Sequence, residues 1–275
     1  MNRDVPSAAR VVVFSMAGIG DTLMATPVLR ELRRLLPGAR IDVVVMWSGS
    51  AQLLAGNPNV DAVHAFNLIE RPVLEGLRFL TGLRRPRADV SLTLFPQARR
   101  EYRLVARWVG ARRRLGHLYG NEGAIDRWLL PDAIPHDCTV SCAENNLRLL
   151  ERIGRRAPPG ELRGELFLSD DERAWAMGWC RKEGLDGRPW AGIHVGSGGT
   201  KNLALRRWPV ERWAEWIGLW HARRPDVPLV AFGGPGEREV HEALRAALPE
   251  GALRLDRKST RLNSSHANIS YAVFC

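Results

Sequence analysis

The sequence predicts an α/β protein of two tandem domains, each a parallel sheet with helices on both faces. Three observations point there: short continuous apolar runs of strand length, stretches of helical period between them, and a Gly-containing turn after the first run of each half. A length of 275 residues leaves room for two domains. A composition of 45% apolar and 25% charged residues is that of a soluble globular protein.

The elements follow in order. Val11 to Phe14 is an apolar run of the kind buried on both faces of a sheet, and Ala17-Gly18-Ile19-Gly20 is its turn. Leu23, Leu29, Leu32, Leu35 and Leu36 recur at helical spacing up to the stop signal Pro37-Gly38, with Pro27 in the first turn of a helix that starts near Thr26. Strands are expected over 41–46, 62–66 and 90–95, and helices over 48–55, 68–83 and 97–109. Residues 112–135 read as less regular, and 137–153 as one longer helix. Pro158-Pro159-Gly160 marks a linker, so the domains are expected at 1–160 and 161–256. Ser169 with Glu172 three residues on signals a helix start. In the second half, strands are expected at 190–195 and 227–232, with helices opening at Trp208-Pro209 and after the glycines of 233–236. Residues 257–275 lose the Ala/Gly/Pro background and resemble a translated vector tail, so they are set aside as non-native.

Forty Lys+Arg face thirty Asp+Glu, and only Lys182, Lys201 and Lys258 are lysines. Arginine dominance fits either a GC-rich coding bias or affinity for phosphates on a nucleotide, an anionic glycolipid or a membrane surface. Nucleic acid is not expected, because the Trp residues follow helical spacing and form no stacking row beside basic residues. Four cysteines are too few for a disulfide scaffold and fit a reducing cytoplasm. His136, Cys138 and Cys142 make a loose His-x-Cys-x3-Cys without a second half, so a helix face is expected there and no metal site. The first ten residues have no signal-peptide run, and no stretch reaches the ~18 apolar residues of a spanning helix. Any membrane contact is expected to be peripheral.

Two turns carry the candidate chemistry. In Gly18-Ile19-Gly20-Asp21-Thr22, small residues let backbone amides approach a ligand at a helix N-terminus. Leu23 stands where the dinucleotide fingerprint needs its third glycine, so NAD is not expected. Asp21 reads either as a helix cap or as a carboxylate aimed above the strand ends. In the second turn, Thr200-Lys201-Asn202 breaks the Walker pattern, leaving Gly196 to Thr200 and Arg206 either to hold a diphosphate or to form an exposed turn. Glu237 reads as a ribose acceptor or a first-turn acid favoured by the helix dipole. Arg99, Arg100, Arg103 and Arg112 to Arg114 are either a solvated surface or a site for an anionic acceptor. Trp213, Trp216 and Trp220 read as core.

Taken in order, Gly18 to Leu23 with Thr26-Pro27-Val28-Leu29, His194-Val195-Gly196-Ser197-Gly198 with Arg206-Arg207-Trp208-Pro209, and Phe232 to Glu237 resemble the bacterial heptosyltransferases of lipopolysaccharide core synthesis over about residues 10–256. The resemblance implies two facing Rossmann-like domains (GT-B), with the acceptor on the first and the sugar nucleotide on the second. It implies an inverting, metal-independent transfer of heptose from ADP-heptose, without a cofactor, to an anionic glycolipid at the cytoplasmic face of the inner membrane. Asp21 would be the general base, kept ionised by its helix terminus. Gly18, Gly20, Thr22, Arg99 and Arg103 would meet the acceptor. Ser197, Gly198, Thr200 and Arg206 would hold the diphosphate, and Glu237 the nucleoside. Arg206 stands where the family usually has Lys. An Asp-Thr-Gly-x-x-His segment that the resemblance leads one to expect does not occur, so the second domain reads as incomplete and the chain itself as inactive or feebly active. The alternatives are a GT-B transferase with another donor, or a nucleotide- or sugar-binding module without chemistry.

Overall fold

The computed structural model describes residues 5–120, 122–153, 162–196 and 207–255. The chain divides into two compact units, Met1–Phe167 and Leu168–Cys275, each with its own sheet. The expected linker at Pro158-Pro159-Gly160 lies outside the described residues. Residues 162–167 belong to the first unit, seven residues beyond the boundary that the proline pair suggests. The reason is local: Glu165 donates its amide to the Thr26 hydroxyl (2.9 Å) and pairs with Arg30 (2.7 Å), and Gly164 lies so close to Leu23 that a Cβ would sit 2.9 Å from its side chain.

In the first unit the order is β1 (Arg10–Ser15), α1 (Ile19–Leu23), α2 (Thr26–Leu35), β2 (Arg40–Val45), α3 (Ser48–Leu53), β3 (Ala62–Ala65), α4 (Val73–Gly82), β4 (Val90–Thr93), α5 (Arg100–Val109), β5 (Arg113–Leu118), α6 (Ala124–Leu129), β6 (Asp132–Pro135) and α7 (Cys142–Arg148), closed by a 3-10 turn at Leu149–Ile153. The six strands are all parallel, in the order β3-β2-β1-β4-β5-β6. β1 and β2 are covered on both faces, which is why their sequences run apolar without alternation. On one face Val11, Val13, Ile41 and Val43 pack with Val28, Leu29 and Leu32 of α2 and with Leu147, Leu149 and Leu150. On the other face Val12, Phe14 and Val44 pack with Leu80 of α4, Ala106 and Val109 of α5, and Leu130. The chain therefore crosses to opposite faces after β1 and after β4, which are neighbours in the sheet. That is the switch point at which open α/β sheets bind ligands.

Residues 112–135, expected to be irregular, hold β5, α6 and β6. The Arg-rich start of β5 hid them. Arg113 bonds Asp132 of β6 (3.3 Å) and the Arg152 carbonyl, and Arg114 bonds the Leu129 carbonyl (2.9 Å), so both guanidinium groups are spent on the next elements. The single helix expected over 137–153 is shorter, since Ser141 caps α7 by accepting the Glu144 amide (3.2 Å). Cys138 thus lies in the loop before the helix that Cys142 begins, and the two do not share a helix face.

The second unit holds α8 (Asp170–Lys182), β7 (Ala191–His194), α9 (Val210–Arg223), β8 (Leu229–Phe232), α10 (Arg238–Ala247) and β9 (Arg254–Leu255). Ser169 and Glu172 form the expected reciprocal cap of α8 (3.2 and 2.8 Å). Its described strands form a parallel sheet in the order β7-β8-β9. Ile217, Leu229 and Leu244 make its core, and Trp213, Trp216 and Trp220 pack half-buried against it, the first two edge to face and the last two tilted at 35°.

Candidate functional site

Because β1, β4, β5 and β6 are parallel, the residues that follow them collect at one edge of the sheet. Asp21 is there, in the third position of α1, directly after β1. Its Oδ2 accepts the Gly18 amide at 3.0 Å, so the capping role expected of it is present. Burial pushes its carboxyl above the usual value, and the Gly18 bond opposes this only in part. A carboxylate raised in this way is a better proton acceptor than an exposed one.

The other first-domain candidates are spread around this point. Gly18 and Gly20 are exposed, and at Gly20 there is open space where a side chain would be. Thr22 is fully buried. Its hydroxyl donates to the Gly18 carbonyl (3.1 Å) and lies within bonding distance of the Ser50 (3.0 Å) and Ser15 (3.3 Å) hydroxyls, so it ties β1, α1 and α3 together. Arg99 is exposed at the N-cap of α5, on the same edge. Arg103 is buried between Glu122 (2.7 Å) and Asp126 (2.9 Å), and Glu122 in turn accepts the amides of Tyr119 and Gly120. This network shapes the loop after β5. Bonds from Arg100 and then Arg103 hold the Asp126 carboxyl well below the usual range. Of the predicted acceptor residues, Gly18, Gly20 and Arg99 are thus exposed on the edge that carries Asp21, while Thr22 and Arg103 have their polar groups engaged inside the unit.

Sequence reasoning missed a ring cluster on the same edge. Phe95 follows β4, His117 lies near the end of β5 with Tyr119 just past it, and His136 follows β6. Phe95 and His136 stack at 4.6 Å and 4°, and Tyr119 stacks on His136 at 5.4 Å. The start of α7 lies beside Asp21, whose charge adds to burial in pushing the Cys142 thiol up. Tyr119 is pushed up to about 12 by burial and accepts the Gln97 amide at 3.1 Å. Cys138 Sγ is 3.6 Å from His136 Nδ1, and no cluster of three metal-ligating side chains occurs among the described residues.

His117 is 2% exposed, with Nε2 3.2 Å from the Asn145 carbonyl. Burial, followed by the positive influence of His136 and Arg148, pushes it down to about 4. An unfolded His titrates near ~6.5. Between these values the unfolded chain takes up a proton that the folded chain refuses. Stability is therefore expected to fall as the pH drops from about 6.5 towards 4, by about 3 kcal/mol at the lower end, and to be independent of His117 above that window. Thermal melts of the parent and His117→Gln over this range check it: the variant should lose much of the slope.

In the second unit Glu237 is 7% exposed and accepts the Gly234 amide at 2.8 Å. It lies across the loop after β7: a Cβ on Gly196 would come within 2.3 Å of its Oε1, and one on Gly233 within 2.9 Å of its Cβ. A side chain at Gly196 would displace Glu237, and one at Gly233 would press on the His241 ring as well, so Glu237 lies between the loops after β7 and β8. Ser197, Gly198, Thr200 and Arg206 lie outside the described residues.

No protein-family model matches the sequence, and no curated protein matches it. Solved structures do. A glycosyl transferase family 9 protein from Veillonella parvula superimposes with a TM-score of 0.72 at 21% identity, over 93% of this chain and 70% of its own. The fold is that of the GT-B glycosyltransferases. The ADP-heptose lps heptosyltransferase II of E. coli gives 0.67 at 22% identity, over 90% and 72%. The E. coli heptosyltransferase WaaC with ADP gives 0.62 at 17%, over 90% and 73%. In the GT-B fold as it stands here, the edge bearing Asp21 belongs to the first Rossmann-like unit and the Gly196–Glu237 pair to the second.

Proposed function

We propose that this chain is a glycosyltransferase of the heptosyltransferase family, and that it moves heptose from ADP-heptose to a lipopolysaccharide core or related anionic glycolipid, with inversion and without a metal. The observation that carries the reading is Asp21, a carboxylate raised by burial at the switch-point edge of a sheet that superimposes on heptosyltransferases. In the proposed step the acceptor hydroxyl gives its proton to Asp21 as its oxygen bonds to the anomeric carbon, and the bond from that carbon to the diphosphate breaks to release ADP. Gly18, Gly20 and Arg99 would meet the acceptor. Ser197, Gly198, Thr200 and Arg206 would offset charge on the leaving diphosphate, and Glu237 would contact the nucleoside. The work would be done at the cytoplasmic face of the inner membrane, and no helix of the described residues is long and apolar enough to cross it.

The test is a transfer assay with ADP-heptose and heptose-free core glycolipid. The 275-residue chain is expected to transfer feebly or not at all. The same chain, extended by a second-unit segment bearing an Asp-Thr-Gly-x-x-His motif, is expected to yield heptosylated product. Transfer by the extended chain from a UDP-sugar only, or from no nucleotide sugar, would overturn the proposal.

A further inference from the structure

The outer face of α4, α5 and α6 carries large apolar side chains that nothing in the first unit covers. Val73 (79% exposed) and Leu74 open α4, Leu104 and Trp108 stand one turn apart on α5, and Ile125 and Trp128 (both 61%) stand on α6. A soluble surface seldom gathers so many in one place. They are joined across the helices. Trp108 donates its indole N–H to Thr81 Oγ1 at 3.3 Å, linking α5 to α4, and the Arg107 guanidinium lies 4.7 Å over the Trp128 ring, linking α5 to α6. Each tryptophan thus keeps an apolar ring outward while its polar side or a cation is held at its flank, the arrangement that suits a membrane–water interface.

Charge gives the second part of the argument. Between Arg71 and Arg127 the chain holds thirteen arginines and no lysine, against Glu75, Asp89, Glu101, Glu122 and Asp126. Of these acids Glu122 and Asp126 are spent inside the unit on Arg103 and Arg100. Arg78, Arg84 and Arg127 are exposed beside the apolar residues. Basic side chains flanking exposed Trp, Leu and Ile are complementary to a surface that is anionic outside and apolar just beneath.

We infer that the outer face of α4, α5 and α6 docks on an anionic phospholipid bilayer. α5 and α6 begin at the edge that carries Asp21 and run away from it along this face, so a bilayer against the face lies alongside that edge. The inference deepens the proposed use of a lipid-linked acceptor and rests on that reading only for its purpose. Docking itself is read without donor, acceptor or turnover.

The experiment is co-sedimentation of the 275-residue chain with vesicles of phosphatidylglycerol and phosphatidylcholine, and with phosphatidylcholine alone. Binding is expected to the anionic vesicles, weakening as salt is raised. Each basic residue at such a surface is worth about five-fold in partitioning, so Arg78→Glu with Arg127→Glu, which removes two of them, is expected to weaken binding by at least about twenty-five-fold. Ile125→Ser with Trp128→Ser is expected to weaken it by about ten-fold. Melting and circular dichroism of both variants serve as the check on folding, and the charge variant, altered only at exposed positions, keeps the test decisive if the apolar one unfolds. Absence of binding to anionic vesicles, or binding unchanged in both folded variants, would overturn the inference. So would analytical ultracentrifugation showing that the chain dimerises and that these substitutions make it monomeric, because the face would then belong to a second copy. Vesicle binding without any sugar transfer by the extended chain would leave docking standing and remove only the transfer.

Discussion

Asp21→Asn in the extended chain is expected to lower kcat by about 10²- to 10⁴-fold while leaving the acceptor KM close to that of the parent. The substitution separates two jobs of one side chain. An asparagine oxygen can still accept the Gly18 amide that Asp21 accepts at 3.0 Å, so the start of α1 is kept. It cannot take up a proton. Because burial raises Asp21, the acid limb of the parent's kcat/KM should lie above the ordinary carboxylate value. That limb should vanish in the variant. Steady-state rates over pH measure both. Unchanged turnover, or a rise in KM alone, would reduce Asp21 to a cap and the proposal with it.

Asp42→Asn is expected to destabilise the first unit by about 3–5 kcal/mol, because it leaves a charge uncompensated in the interior. Asp42 is fully buried on β2. Arg10 reaches it from β1 at 2.7 Å, Arg40 bonds it at 3.1 Å, and His64 of β3 lies 3.8 Å away. Arg10 also donates to the carbonyls of Leu83 and Pro86 and offers its amide to Asp89, so one residue of β1 is fastened to β2, to the end of α4 and to the residue before β4, at the edge away from Asp21. Burial alone would push Asp42 up. The nearby His64 ring and the bonds from Arg10 and Arg40 outweigh it and hold it at about 2. The group therefore contributes stability above the unfolded value near ~3.9, and this is lost as the pH falls through about 2. For a unit of this size the neutral-pH loss corresponds to a fall in Tm of about 10 °C. Calorimetry of the variant checks it, and a Tm within a degree or two of the parent would show that Arg10 finds other partners.

Much of the architecture was legible because burial on both faces leaves a plain mark. Val11 to Phe14 and Ile41 to Val45 have to be apolar at nearly every position, and helices between them have to show one apolar stripe. Asp42 is the exception inside such a run, and its meaning depends on Arg10, thirty-two residues earlier and next to it only through the sheet. β5 and β6 escaped notice because a strand that spends its arginines on neighbouring carbonyls looks like solvent-facing chain. At the site, Asp21 could be read because a strand, a glycine turn and a helix are contiguous in sequence. Phe95, Tyr119 and His136 could not. They come from three separate strand ends, and only the β4-β5-β6 order makes them neighbours. The partners of Arg103 were hidden for the same reason: a basic run on paper says nothing of Glu122 and Asp126 beside it.

The bond between Glu165 and Arg30 bears on how the molecule can be cut. Anyone excising the amino-terminal half as an independent piece would be drawn to the prolines near 158, but the stretch from 162 to 167 is stitched to α2 and lies over Leu23. The natural severance point is after Phe167. A shorter piece would bare Leu23, two residues from Asp21, so any loss of acceptor affinity in it would report a dissection fault and not a property of the proposed site.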